Sequence, residues 1–201
     1  MDAGGGPKRD CIRKALVIFL PKCNISSELI QIMNGNYTLI NKENILSLLK
    51  LVNDPEIPVL SVMDLGIIRD VIVGVDGGIE VVITPTYSGC PAMNRIEWDI
   101  RATLLENGYP NNKITTVLSP AWTTDWMSEE GKKKLMTYGI SPPNVKQSVC
   151  QVALFSAEEA IQCPHCHSYH TELISQFGST ACKALYKCLD CKEPFEYFKC
   201  H

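Results

Sequence analysis

An α+β fold is predicted: helices packed on a small sheet in the order α-β-β-α-β-α, followed by a compact cysteine-knuckled β-ribbon. Three observations carry this. Apolar residues first recur at helical spacing and then alternate at strand spacing across an Asp-Gly-Gly turn. Two further helical stretches bracket another strand-like run. Near the other end of the sequence two C-x-x-C pairs stand 21 residues apart.

The elements follow in order. Ile45, Leu48, Leu49 and Val52 fall at i, i+3, i+4 and i+7, one face of a short helix that NDPEIP ends with its prolines. Val71, Val73 and Val75 alternate on one strand and Ile79, Val81 and Ile83 on the next; Asp76-Gly77-Gly78 is the turn of a hairpin. A second helix starts at Cys90-Pro91, since proline is tolerated at the first helical position. Met93, Ile96, Ile100 and Leu104 continue one face until Gly108. KITTVLS is a third strand. Ser128 caps a third helix, which Gly139 ends. This divides the chain into an extension of unassigned role (1–40), the α+β domain (41–141), a linker (142–162) containing VCQVALF, which is either strand or linker, and the ribbon (163–201).

Composition narrows the function classes. Hydrophobic residues make up 45% and charged residues 20%, a globular balance. The formal charge of −3 supplies no general attraction to nucleic acid or anionic membrane. The early apolar run Ala15–Leu20 is too short for a span, which needs about 20 residues, and no A-x-A-like cleavage site follows it. Six of the ten cysteines lie between Cys163 and Cys200, a clustering that points to metal ligation in a reducing cytoplasm rather than to a disulfide framework.

CPHC (163–166) and CLDC (188–191) are two tight turns whose thiolates converge, so Cys163, Cys166, Cys188 and Cys191 are expected to bind a structural Zn²⁺. A ribbon of this size lacks a sufficient core, and the metal supplies folding energy. An iron–sulfur cluster on the same thiolates is the main rival; a disulfide or redox pair is the plainer one. His165, His167 and His170 are expected to face solvent. Four lysines and four acidic residues leave the ribbon neutral, which argues against a nucleic-acid surface.

In TPTYSGCPAM, Cys90 follows a strand and precedes a helix. There unpaired amides and the helix dipole favour a thiolate, and Gly89 permits an unusual backbone angle or a close approach. The alternative is a buried, inert cysteine. No histidine precedes His165, so no base stands near Cys90 in sequence for a thiol enzyme. Asp54, Glu56 and Asp64 either form turns and caps or line a site facing Cys90. Phosphate-loop, dinucleotide and H-E-x-x-H signatures are absent.

DPEIPVLSVMDLGII together with TPTYSGCPAM resembles the domain shared by SufT-like proteins and cytosolic iron–sulfur assembly factors, over about 44–140. With CPHC, FGSTACKALYKC and CKEPFEYFKCH added, the stretch 44–201 resembles the PaaD family (PaaJ in some nomenclatures) of the phenylacetyl-CoA epoxidase system. The resemblance implies aerobic phenylacetate degradation. In that pathway a di-iron monooxygenase forms the 1,2-epoxide with electrons from a reductase carrying flavin and an iron–sulfur cluster.

The PaaD component is not the di-iron subunit, and no pair of E-x-x-H motifs occurs here. A non-catalytic accessory role is implied: assembling or maintaining an iron–sulfur cluster, held transiently, for the reductase or another client. A structural or regulatory subunit that handles no cluster is the competing reading. By motif position Cys90 is the family's functional cysteine, Asp54 and Glu56 its DPE element, and Asp64, Thr84 and Thr86 belong to the supporting motif. One thiolate cannot hold a cluster, so a homodimer, the client, or Cys182 and Cys200 must add ligands; otherwise Cys182 and Cys200 simply pack the ribbon.

Overall fold

The computed structural model describes residues 29–33, 36–143 and 161–199, with side chains from residue 41 onward. Its elements are β1 (Leu29–Met33), β2 (Asn36–Ile40), α1 (Lys42–Leu49), β3 (Ile68–Val73), β4 (Ile79–Ile83), α2 (Ala92–Glu106), β5 (Asn112–Thr116), a 3-10 turn (Thr124–Trp126), α3 (Glu129–Tyr138), β6 (Ile140–Ser141), β7 (Thr171–Ser175), β8 (Lys183–Cys188) and β9 (Pro194–Phe198). The class is α+β, as the sequence predicts. Cys200, the VCQVALF stretch and the first 28 residues lie outside the described residues. Among those described, no helix is long and apolar enough to cross a membrane.

Local chemistry sets most of the ends. The Asn41 side chain accepts from the Asn44 amide and starts α1. The Ser128 hydroxyl accepts from the Gly131 amide at 2.9 Å and starts α3; Gly139, at φ 98°, ends it in the left-handed conformation. Two details differ from the sequence reading. Val75 does not continue the strand: β3 stops at Val73, and Val75 sits in the turn at 94% exposure, because the Gly74 amide already closes onto the Gly78 carbonyl. Pro91 caps α2 from outside its first turn rather than occupying its first position. The 1–40 extension, read as an arm, contains an antiparallel hairpin of β1 and β2, with Leu29 opposite Ile40.

β3, β4 and β5 form one sheet in that order. β3 and β4 are antiparallel; β4 and β5 are parallel, joined by the crossover helix α2. Ile79, Val81 and Ile83 of β4 face Ile96, Ile100 and Leu104 of α2, all at most 2% exposed. Burial of such side chains contributes about 1.5–3 kcal/mol each. Gly66 is required by close approach as well as by its φ of 68°, since a Cβ there would stand 2.1 Å from the Trp126 carbonyl oxygen.

The second sheet has the order β6-β9-β8-β7. β6, which directly follows α3, lies parallel to β9 with Ile140 opposite Glu196, so the ribbon's sheet begins with residues of the preceding domain. Trp122 and Phe198 meet edge to face with centroids 6.3 Å apart, and Cys182 and Phe198 belong to the larger core.

Candidate functional site

The four-cysteine centre is built from two knuckles of like shape. In each, the residue after the second cysteine takes a left-handed conformation, His167 at φ 62° and Lys192 at 68°. The Cys163 amide donates to the Ser168 carbonyl and the Cys188 amide to the Glu193 carbonyl, which turns both sulfurs inward. All four Sγ atoms lie within 4.8 Å of one another. Cys163 and Cys191 are separated by 3.8 Å, Cys166 and Cys188 by 3.5 Å. A tetrahedral shell with metal–sulfur bonds of about 2.3 Å has edges of about 3.8 Å, so the donors fit one ion.

Electrostatics favour the same conclusion. Cys188 is drawn down to about 7: burial opposes this, but amides of Cys191 and Asp190 donate to its sulfur. Cys191 is pushed up to about 12; although the Glu193 amide favours its thiolate, three neighbouring sulfurs prevail. Four thiolates so placed need a cation to coexist. His165, His167 and His170 are exposed, and His170 pairs with Asp190 at 3.0 Å rather than joining the sulfurs.

Cys90 lies where β4 hands over to α2, at the carboxyl end of a sheet strand. Such ends are where the fixed frame of a sheet meets free loop backbone. Its thiol is half-buried. Gly89 has a φ of 84°, and a Cβ there would meet nothing within 4 Å, so this glycine serves the backbone angle and not a close approach.

Around Cys90 two distant parts of the chain converge. Tyr87 hydrogen-bonds the Cys90 thiol. Burial first, then Cys90 by charge and hydrogen bond, then Glu56 and Cys182 by charge, push the Tyr87 phenol up to about 12. The Cys182 thiol donates to Glu56 Oε2 at 3.8 Å and lies 3.0 Å from the Thr180 hydroxyl. Burial above all, with Glu56 and Asp54 adding negative charge, raises the Cys182 thiol; Thr180 and Lys183 oppose this.

Asp54 is a turn former: its Oδ1 accepts from the Glu56 and Ile57 amides, both at 2.8 Å, and so aims Glu56. Burial raises its carboxyl against those two amides and Lys183. Lys183, itself buried, pairs with Glu196 at 2.9 Å.

The remaining motif residues fall elsewhere. Asp64 accepts from the Ser61 amide and hydroxyl, from Ser128 at 3.1 Å and from Lys134 at 2.8 Å, tying its loop to the start of α3. Its neighbours belong to that helix and not to Cys90. Thr84 is buried with an unpartnered hydroxyl, and Thr86 is half-buried. The sequence reading passed over Tyr87, although it stands inside the TPTYSGC motif, and over Thr180 and Lys183, whose roles depend on contacts across 100 residues or more of chain.

Comparison with known proteins agrees with this division. Residues 42–117 match the iron–sulfur cluster assembly protein family and residues 147–199 the PaaD zinc β-ribbon domain family. The chain is 48% identical over 154 residues to an Escherichia coli (strain K12) protein named as a component of 1,2-phenylacetyl-CoA epoxidase; the match covers 77% of this chain and 90% of that one. It is 41% identical to an Fe-S protein maturation auxiliary factor of Porphyromonas gingivalis, over 51% of this chain and 97% of the relative. A crystal structure of a DUF59 domain from Bacillus anthracis aligns with a TM-score of 0.45 and 26% identity, covering 47% of this chain and 90% of that one. The chain belongs to the PaaD family, its iron–sulfur cluster assembly domain continued by a zinc β-ribbon.

Proposed function

We propose that this protein assembles or maintains an iron–sulfur cluster for the phenylacetyl-CoA epoxidase system, with the reductase component as its client. The cluster is cargo: Cys90 receives it and passes it on. The observation that carries this reading is the position of Cys90, half-buried at the carboxyl end of β4 and hydrogen-bonded to Tyr87, beside a carboxylate and a second thiol. A thiol there is anchored by a rigid strand yet remains open to a partner. The names of the Escherichia coli and Porphyromonas gingivalis relatives support both halves of the proposal.

The four-cysteine centre holds Zn²⁺ in this reading and has no part in transfer. Its sulfur separations suit a single ion, whereas a multi-iron cluster spreads its cysteine ligands over several irons. Zinc adds no redox chemistry, and its site is closed, as befits a staple for the ribbon. The 41–141 domain then carries the transfer chemistry and the 163–201 ribbon presents it to the client.

The test is anaerobic reconstitution of wild type and Cys90→Ser, followed by transfer to the apo-reductase. Cluster transfer should fall at least tenfold in the variant while its zinc content stays at one per chain. Equal transfer by the two proteins defeats the proposal.

A further inference from the structure

Cys182 and Glu56 face one another from opposite parts of the chain. Glu56 is fixed by the Asp54 turn, whose carboxylate holds the Glu56 and Ile57 amides. Cys182 is fixed by the ribbon: its carbonyl accepts from the Lys199 amide at 2.9 Å, and the adjoining Lys183 is locked to Glu196. The β6–β9 pairing and the Trp122–Phe198 contact hold the two parts together at this seam. Tyr87 connects the pair to Cys90, since its hydroxyl bonds the Cys90 thiol and feels the charges of both Glu56 and Cys182. Cys182 has no place in the four-sulfur shell, which is complete without it. A thiol only 6% exposed that donates to a carboxylate and touches a threonine hydroxyl is more polar in its surroundings than ribbon packing requires.

We infer that Cys182 and Glu56 join Cys90 to form a second metal-binding site across the seam, two sulfurs and one carboxylate suited to ferrous iron. The inference deepens the function proposed above and rests on it, because it supplies the ligands that Cys90 lacks. Mixed sulfur and oxygen donors accept Fe(II) readily, and three protein ligands leave positions for sulfide or for a client's thiolate. Binding displaces the Cys182 proton, for which the neighbouring Glu56 carboxylate is the nearest acceptor.

The experiment titrates Co²⁺, a coloured substitute for Fe²⁺, into the full chain with the ribbon already loaded with zinc, and follows zinc release throughout. Wild type should take up one further Co²⁺ per chain, with thiolate-to-cobalt absorption in the near ultraviolet and no zinc lost. Cys90→Ala and Cys182→Ala should each halve that absorption. Glu56→Gln, at a half-buried position that disturbs no core, should weaken uptake at least tenfold while leaving the absorption per bound ion unchanged. Retained zinc and circular dichroism identify variants that fold, and Glu56→Gln decides the matter if Cys182→Ala does not. No additional Co²⁺ in wild type overturns the inference, as does full sulfur absorption in Cys182→Ala or unweakened uptake in Glu56→Gln. If Cys182→Ala also transfers cluster normally while Cys90→Ser does not, the function proposed above stands and the seam site falls.

Discussion

The part of the chain up to Ser141 closes around Ile45, Leu49, Leu60, Ile96, Ile100 and Leu104, none more than 1% exposed. The ribbon's own cluster is Ile161, Ala184, Phe195 and Tyr197, packed against two sulfurs of the four-cysteine centre. One region owes its shape to buried area distributed over many side chains; the other concentrates its stability in one shell of sulfurs. The difference teaches where each can tolerate change. Loss of one apolar contact is shared among neighbours in the first region, while loss of the ion removes the ribbon's organising centre at a stroke.

The largest effect that can break this comparison is metal removal. A strong chelator should abolish hydrogen-exchange protection in β7, β8 and β9, a loss on the order of 10 kcal/mol of binding-linked folding energy. β3, β4 and α2 should stay protected. Ribbon amides that remain protected after the metal has gone would show that packing alone suffices there.

Next is Ile100→Ala in α2, at 0% exposure. A truncation of this kind costs about 2–5 kcal/mol, visible as a lower urea midpoint for the first region. Zinc content should be unaffected. A parallel fall in zinc would instead make the two regions a single cooperative unit, joined through Phe198 and Cys182 at the seam.

The smallest effect is electrostatic. Burial works against the Asp64 carboxylate, but Lys134, Ser61 and Ser128 outweigh it and hold the group below its ordinary 3.8. A carboxyl depressed by folding contributes stability above its unfolded value, and that stability is lost as pH falls through the folded value. Asp64→Asn should therefore cost about 1–3 kcal/mol in urea unfolding at pH 7. The gap between variant and wild type should narrow below pH 3.8. A gap of constant size would mean that shape, and not charge, holds this loop to α3.

What could be read in the sequence was mostly what is decided within a few residues. Ser128 and Gly139 bound α3 through contacts one turn away, and each C-x-x-C closes its own knuckle. Cys90 at a strand-to-helix turn is legible for the same reason. Val75 misled because its alternation continued while the Gly74 to Gly78 turn had already begun. The β1–β2 hairpin had a local signal, Asn-Gly between two apolar runs, that went unused. Asp64, assigned to the Cys90 motif by position, finds its partners 64 to 70 residues later in α3. The approach of Cys182 to Glu56 spans 126 residues and has no periodicity to betray it. Long-range pairing depends on how the whole chain closes, and spacing alone does not encode that.

The position of β9 has a consequence for biosynthesis. This strand lies inside its sheet, flanked by β6 and β8, yet it is translated after every other described strand. On a ribosome the earlier domain can condense first, leaving the β6 edge bare until residues 194–198 emerge. Any nascent chain shorter than that exposes an unpaired edge, and a thiol pair that is not yet aligned, to its surroundings. Iron delivered too early would find only half of its ligands in place.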